Sequence, residues 1–409
     1  MSEPGAKPAY PIVGTNMKRF YGPNGEIPRP EPGEPFYGQD AHYPKLEPAY
    51  EDNGDGTVSD LNTGLMWQKT TEARPDSLEG RVTWYEAEEY AARLRLGGHD
   101  DWRVPSVKEL ISLVDANGAL ATRTPYFDGR YFDLTYGPEG IDGYRALDSQ
   151  LVTTTSYIAQ SVLFSDWWMD FGERRIEPGV MHLCPSFFGY NFTDGRIKSY
   201  PKENHPYNGL QTWCIRCVRG PAYGENEFVD NGDGTVSDLA TGLMWQKADD
   251  GRGRDWREAL DYAEHLQLAG YGDWRLPDQK ELHSIVDYRF IPAIHPVFPV
   301  SDPRAWFWSG TPFIDMPGQA VYVAFGKATG KTSARPEDEY DVHGAGAMRS
   351  DPMVGDPACY LEGGGPQRDA IRIYNLVRAV RRIGPPKMPL HPEAPGGAGS
   401  GSNFGQPAG

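Results

Sequence analysis

The stretch Asp52-Asn53-Gly54-Asp55-Gly56 crowds three side-chain oxygen donors together, a density that suits calcium, and it returns at Asp230–Gly234 inside a repeated decamer, DNGDGTVSDL. A calcium loop of the EF-hand type needs oxygen ligands at positions one, three, five and twelve, with glycine at six. With Gly56 at six, Glu51, Asn53 and Asp55 fall at one, three and five. The same frame in the second copy puts Val229 at one, and neither copy has glutamate at twelve. Asn-Gly-Asp-Gly also supplies the positive-φ residues of a tight hairpin turn. The decamer therefore reads as a turn that the chain uses twice, needing no cofactor, with calcium as the lesser alternative.

Cys214 and Cys217 form Cys-x-x-Cys, a spacing that can serve redox chemistry or zinc. Here it falls on an expected strand, where residues three apart point to opposite faces. No helix start lowers a thiol pKa, and no second pair completes a zinc site. A disulfide from Cys184 to Cys214 or Cys217 is the alternative in an oxidising compartment. The sequence has no phosphate-cradling glycine loop, His-Glu-x-x-His or Gly-x-Ser-x-Gly. Its nine histidines are scattered. The expectation is a protein that is not an enzyme.

The elements that carry these residues come in two copies. Thr63–Lys69 returns as Thr241–Lys247, Asp101-Trp102-Arg103-Val104-Pro105 as Asp273-Trp274-Arg275-Leu276-Pro277, and Lys108-Glu109-Leu110 as Lys280-Glu281-Leu282. Arg216 and Arg219 near the end of copy one answer Arg378 and Arg381. Two long units mean a duplication, since solenoids stack many shorter ones. The division is an N-terminal Pro-rich arm (1–49), copy one (50–220), copy two (225–384) and a Gly/Pro/Ser-rich tail (385–409). In each copy a hairpin leads to two helices with capping boxes, Thr83 with Glu86 and Ser106 with Glu109, then Asp255 with Glu258 and Asp278 with Glu281. Long Gly/Pro/aromatic loops with short strands follow, and an alternating strand closes the copy. Trp67, Trp102, Trp245 and Trp274 are expected in the cores. Arg103 and Arg275 are expected to tie sheet to helix through a carboxylate.

The chain has 409 residues, enough for two domains, and a net charge of −17, which argues against nucleic acid as a partner. No apolar run is long enough to insert in a membrane, and the first residues lack a signal-peptide pattern. The arm holds Tyr10, Phe20, Tyr21, Phe36, Tyr37 and Tyr43 among prolines. It is expected to pack on a folded domain, its own or another copy's.

The repeated Asp-Gly-Thr-Val-x-Asp, Thr-Gly-Leu-Met-Trp, Asp-Trp-Arg-(Val/Leu)-Pro with Lys-Glu-Leu, and closing Arg-x-Val-Arg resemble the family named for the C-terminal domain of the Legionella collagen-like protein (Lcl). The order of elements is distantly similar to the C-type-lectin-like fold. That implies an α+β architecture of two tandem domains, in which first and last strands pair and long loops present the ligand. A kinship with formylglycine-generating enzymes would confine any cysteine chemistry to copy one. The resemblance implies an extracellular or cell-surface protein that recognises or adheres to a carbohydrate or protein ligand. The alternative is a structural subunit of a filament, sheath or layer that meets its own copies through the arms. The acidic surface argues against carrying over the named member's affinity for sulfated polysaccharides. The loops differ between the copies, so the expected ligand residues are Trp167, Trp168, Phe188, Tyr190 and Asn191 in copy one, and Tyr340 and Asp341 in copy two. The aromatic runs suit a core as well as a binding face.

Overall fold

The computed structural model describes residues 8–75, 77–138, 140–141, 144–163, 169–171, 174–176, 182–203, 211–332, 335–365 and 367–384. The arm opens with a small hairpin, β1 (Phe20–Gly22) and β2 (Gly25–Ile27). Copy one runs β3 (Tyr50–Asp52), β4 (Thr57–Asp60), β5 (Met66–Gln68), α1 (Ala87–Arg93) and α2 (Val107–Ser112). It continues through β6 (Ser156–Leu163), β7 (Met169–Phe171), β8 (Arg174–Ile176), β9 (His182–Asn191), β10 (Arg196–Pro201) and β11 (Val218–Arg219). Copy two repeats the plan with β12 (Phe228–Asp230), β13 (Thr235–Asp238), β14 (Leu243–Gln246), α3 (Trp256–His265) and α4 (Gln279–Ser284). Its remaining strands are β15 (Trp306–Phe313), β16 (Gln319–Ala324), β17 (Thr329–Thr332), β18 (Arg335–Asp341), β19 (Met348–Pro352) and β20 (Val380–Arg382).

The repeated decamer builds a hairpin in both places. Asp55 accepts from the backbone N–H of Thr57 at 3.1 Å and from its hydroxyl at 2.6 Å, Asp52 takes the N–H of Gly54, and Lys69 reaches Asp52 at 2.7 Å. Asp230, Asp233, Thr235 and Lys247 repeat these bonds. Gly54 and Gly56 have φ of 75° and 89°, the left-handed region the turn requires. The carboxylates that resembled calcium ligands thus shape the turn.

Each copy closes a four-stranded antiparallel sheet, ordered β11-β5-β4-β3 and β12-β13-β14-β20. The first and last strands therefore lie at opposite edges and do not pair. Beneath both sheets runs one six-stranded sheet, β15-β16-β19-β10-β9-β6, with three strands from each copy. The copies join where Ile197 on β10 faces Met348 on β19, both fully buried.

These sheets overturn the expected α+β, lectin-like layout. The fold is mostly β, and the four α-helices among the described residues span only six to ten residues each. The expected loop regions contain the longest strands, β9 with ten residues and β6 and β15 with eight. Pro185, Gly189, Gly310 and Pro312 interrupt these strands and gave them the look of loops. Bulges in the β6–β9 and β15–β16 pairings absorb irregularity there.

The helices begin where the capping boxes place them or a turn later. Ser106 and Asp278 accept from the N–H of Glu109 and Glu281, whose carboxylates take the N–H of the capping residue in return. The Thr83–Glu86 exchange is also present, but it closes a turn that precedes α1. No helix among the described residues is long and apolar enough to cross a membrane.

The two copies are held by a reciprocal bond. Lys108 of α2 donates to the carbonyl of Ser284, the last residue of α4, at 3.0 Å, and Lys280 of α4 donates to that of Ser112, the last residue of α2, also at 3.0 Å. The chain segment leading into each copy completes the other copy's lysine. Gly224 and Asn226 bind Lys108 at 3.0 and 2.9 Å, and Gly14 binds Lys280 at 3.1 Å. Burial pushes both ammonium groups down to about 8. Replacing Lys280 by Met strands two buried carbonyls and should cost about 2–3 kcal/mol, the range for charged hydrogen bonds. Urea unfolding checks this. A loss below about 0.5 kcal/mol would mean the lysine does not tie the copies together.

Candidate functional site

The repeated charged residues are absorbed by the framework. Arg103 binds Glu109 through two bonds of 2.8 and 2.5 Å, and Arg275 binds Glu281 through two of 2.6 Å. Each arginine thereby fixes the strand before the second helix to that helix's capping glutamate. Arg216 and Arg378 are buried and donate to main-chain carbonyls, Arg216 to Gln68 and Asp133, Arg378 to Gln246 and Pro299. Burial lowers both guanidinium pKa values to about 10. Arg219 and Arg381 bind Asp101 and Asp273 at 2.6 Å.

Trp67 and Trp245 are fully buried, and Trp102 and Trp274 are 4% and 2% exposed. The indole N–H groups of the latter pair donate to the carbonyls of Leu96 and Leu268. Cys184, Cys214 and Cys217 are buried and free. Burial pushes the Cys217 thiol up to about 12 and raises that of Cys214.

Four of the expected ligand residues are buried. Phe188, Tyr190 and Asn191 lie on β9 with no exposure, because the central sheet turns this aromatic run into core. Asn191 spends its amide on Leu147 and Thr193. Asp341 is buried as well and accepts from Tyr157 and from the N–H of Gly344, and burial raises its pKa. Tyr340 is half-buried. Trp167 and Trp168 lie outside the described residues.

What the sequence reading missed is an inequality between the copies. The arm leaves the body at Gly14 and returns at Leu46, where the Gly14 N–H donates to the Leu46 carbonyl at 2.8 Å. The excursion between them covers the groove of copy two formed by α3, Arg275, Asp278 and Thr311. Asp40 accepts from Thr311 at 2.6 Å and from Thr15 at 2.8 Å. Lys45 bridges Asp40 and Asp278, reaching Asp278 at 2.5 Å. Tyr43 donates to Glu264, and its ring lies 5.1 Å from the Arg275 guanidinium. Tyr10 is also buried, edge-on to Tyr223. The arm is thus engaged on its own chain.

The lead-in of copy two, residues 220–226, makes no such excursion. The matching groove of copy one is an open cleft of about 910 Å³, bounded by Ala92, Arg103 and Thr155, by Gly224 of the lead-in, and by Asp287 and Tyr288 of copy two. The Arg103 side chain is 39% exposed, against 8% for Arg275. Thr155 accepts from the N–H of Val107 at 3.0 Å, as Thr311 does from Gln279. Its hydroxyl hydrogen has no acceptor among the described residues, where that of Thr311 has Asp40. The signal in the sequence was the set of mismatches between aligned copies: Ala92 for Glu264, Ser106 for Asp278 and Thr154 for Gly310.

The openness of the cleft makes the same substitution unequal in the two copies. Arg275→Ala leaves Glu281 buried and unpaired and should cost about 3–5 kcal/mol. Arg103→Ala lets cleft water reach Glu109 and should cost roughly 1–2 kcal/mol. Chemical denaturation of both variants measures the difference, and equal costs would mean the cleft is not wet.

The sequence model of the Lcl C-terminal domain matches residues 56–219 and again residues 234–343. No curated protein matches the chain.

Proposed function

The chain belongs to the Lcl C-terminal domain family, and we propose that it is a non-enzymatic recognition protein that adheres at a cell or particle surface by taking part of a protein ligand into the cleft of copy one. One observation carries this reading: two grooves of common descent share a plan, and the one in copy two holds a stretch of polypeptide while its partner stands open. The family supports a surface or adhesion-related role. A binding role also draws support from the repeated arginines and carboxylates, which are committed to holding strands, helices and turns together. A filament or layer subunit joined through the arm draws less support, since the arm's Tyr10, Tyr43 and Asp40 are used within the chain.

The test is adhesion of fluorescently labelled protein to intact bacterial cells and to immobilised protein and glycan panels. Thr154 is exposed on the cleft wall, away from the core, so Thr154→Trp obstructs the cleft from its wall, and an unchanged melting temperature checks that the fold is kept. It should lower adhesion at least tenfold, while Arg257→Glu on the exposed face of α3 should leave it unchanged. Equal adhesion by Thr154→Trp and the parent protein would remove the cleft from the function.

A further inference from the structure

The filled groove also specifies what the open one accepts. Copy two meets Asp40, Tyr43 and Lys45 by four contacts: Thr311 to the Asp40 carboxylate, the Arg275 guanidinium to the Tyr43 ring, Asp278 to Lys45, and Glu264 to the Tyr43 hydroxyl. The first two recognition groups are kept in copy one as Thr155 and Arg103, and Arg103 is the more exposed of the two arginines. The third is lost, because Ser106 stands at the Asp278 position. Ala92 stands at the Glu264 position, so the acceptor for a tyrosine hydroxyl is gone too. The two carboxylates that hold the arm's Lys45 and Tyr43 in copy two thus have no counterpart at those positions in copy one. A lysine at the Lys45 place meets Ser106 where copy two offers Asp278, and a phenylalanine serves as well as a tyrosine.

Backbone approach differs as well. At Gly310 an added Cβ would sit 3.5 Å from the N of Asp40, so the arm passes close to this residue. Copy one has Thr154 there, which holds an incoming segment farther out and offers it a hydroxyl. The chain's own arm sequence is accordingly a poor match for the copy-one groove.

Resting on the reading of the cleft as a ligand site, we infer that its occupant is a segment of a partner protein that makes one 3-10 turn, as Asp40–His42 does in the filled groove, with a carboxylate, an aromatic residue three positions later and no lysine after it. The carboxylate meets the Thr155 hydroxyl and the aromatic ring lies over Arg103, an arrangement that a guanidinium face stabilises even when exposed.

Fluorescence polarisation with synthetic peptides and the full-length protein tests this. The probes are the arm sequence Phe36–Leu46, the same peptide with Lys45→Ala, and a scrambled control. The Lys45→Ala peptide should bind saturably at one per chain and about fivefold tighter than the native arm peptide. Its affinity should fall at least tenfold on Thr154→Trp and severalfold on Arg103→Ala. Three results would each overturn the inference: no saturable binding, binding unaffected by Thr154→Trp, or tighter binding of the native arm peptide, which would make the arm of a second copy the occupant. If Thr154→Trp abolishes surface adhesion while none of the peptides binds, the cleft remains the adhesive site and only its proposed occupant is wrong.

Discussion

Two lysines carry the organisation of this molecule. Lys108 and Lys280 each leave their own helix and donate to the last carbonyl of the other copy's helix. A helix end has carbonyls without intrahelical partners, and in a buried place they must find donors. Here they find them only if both copies are folded and docked. The same lysines bind the chain segments leading into each copy, so docking also fixes where those segments run. The shared six-stranded sheet follows from the same apposition, since it brings β10 against β19. Neither copy's half of that sheet has a second neighbour at this edge without the other.

On this nearly symmetric frame, function arises from the departure from symmetry. Both lead-in segments pass over the opposite copy's lysine, but only the arm detours between Gly14 and Leu46. The detour fills one groove with a paired aspartate, a lysine and a stacked tyrosine. The other groove keeps the arginine and the threonine and has lost the two carboxylates that serve the arm. Duplication thus supplied two equivalent concavities, one closed as structure and one left available.

Much of the frame was legible in the sequence because it rests on short local motifs. The decamer gave its hairpin through positive-φ glycines, Ser106 and Asp278 gave helix starts, and Arg103 and Arg275 tie sheet to helix through a carboxylate as expected, with Glu109 and Glu281 as the partners. The central sheet was not legible. Phe187, Phe188 and Tyr190 alternate with Pro185 and Gly189, which weakens a strand pattern read one segment at a time, and burial between the copies overrides those breakers. The cleft was still less accessible to local reading. It depends on a segment near residue 40 lying against residues 264, 278 and 311, contacts that neither periodicity nor spacing encodes. Comparing the copies position by position does expose it, through Ala92, Ser106 and Thr154.

The two copies thus form one cooperative body, held at the lysine-capped helix ends and the common sheet. Differential scanning calorimetry of the intact chain tests it most directly. The account predicts a single transition whose calorimetric and van't Hoff enthalpies agree, as expected when no half-folded species is populated. Two resolved transitions, or a calorimetric enthalpy near twice the van't Hoff value, would show that the copies unfold independently and would contradict it.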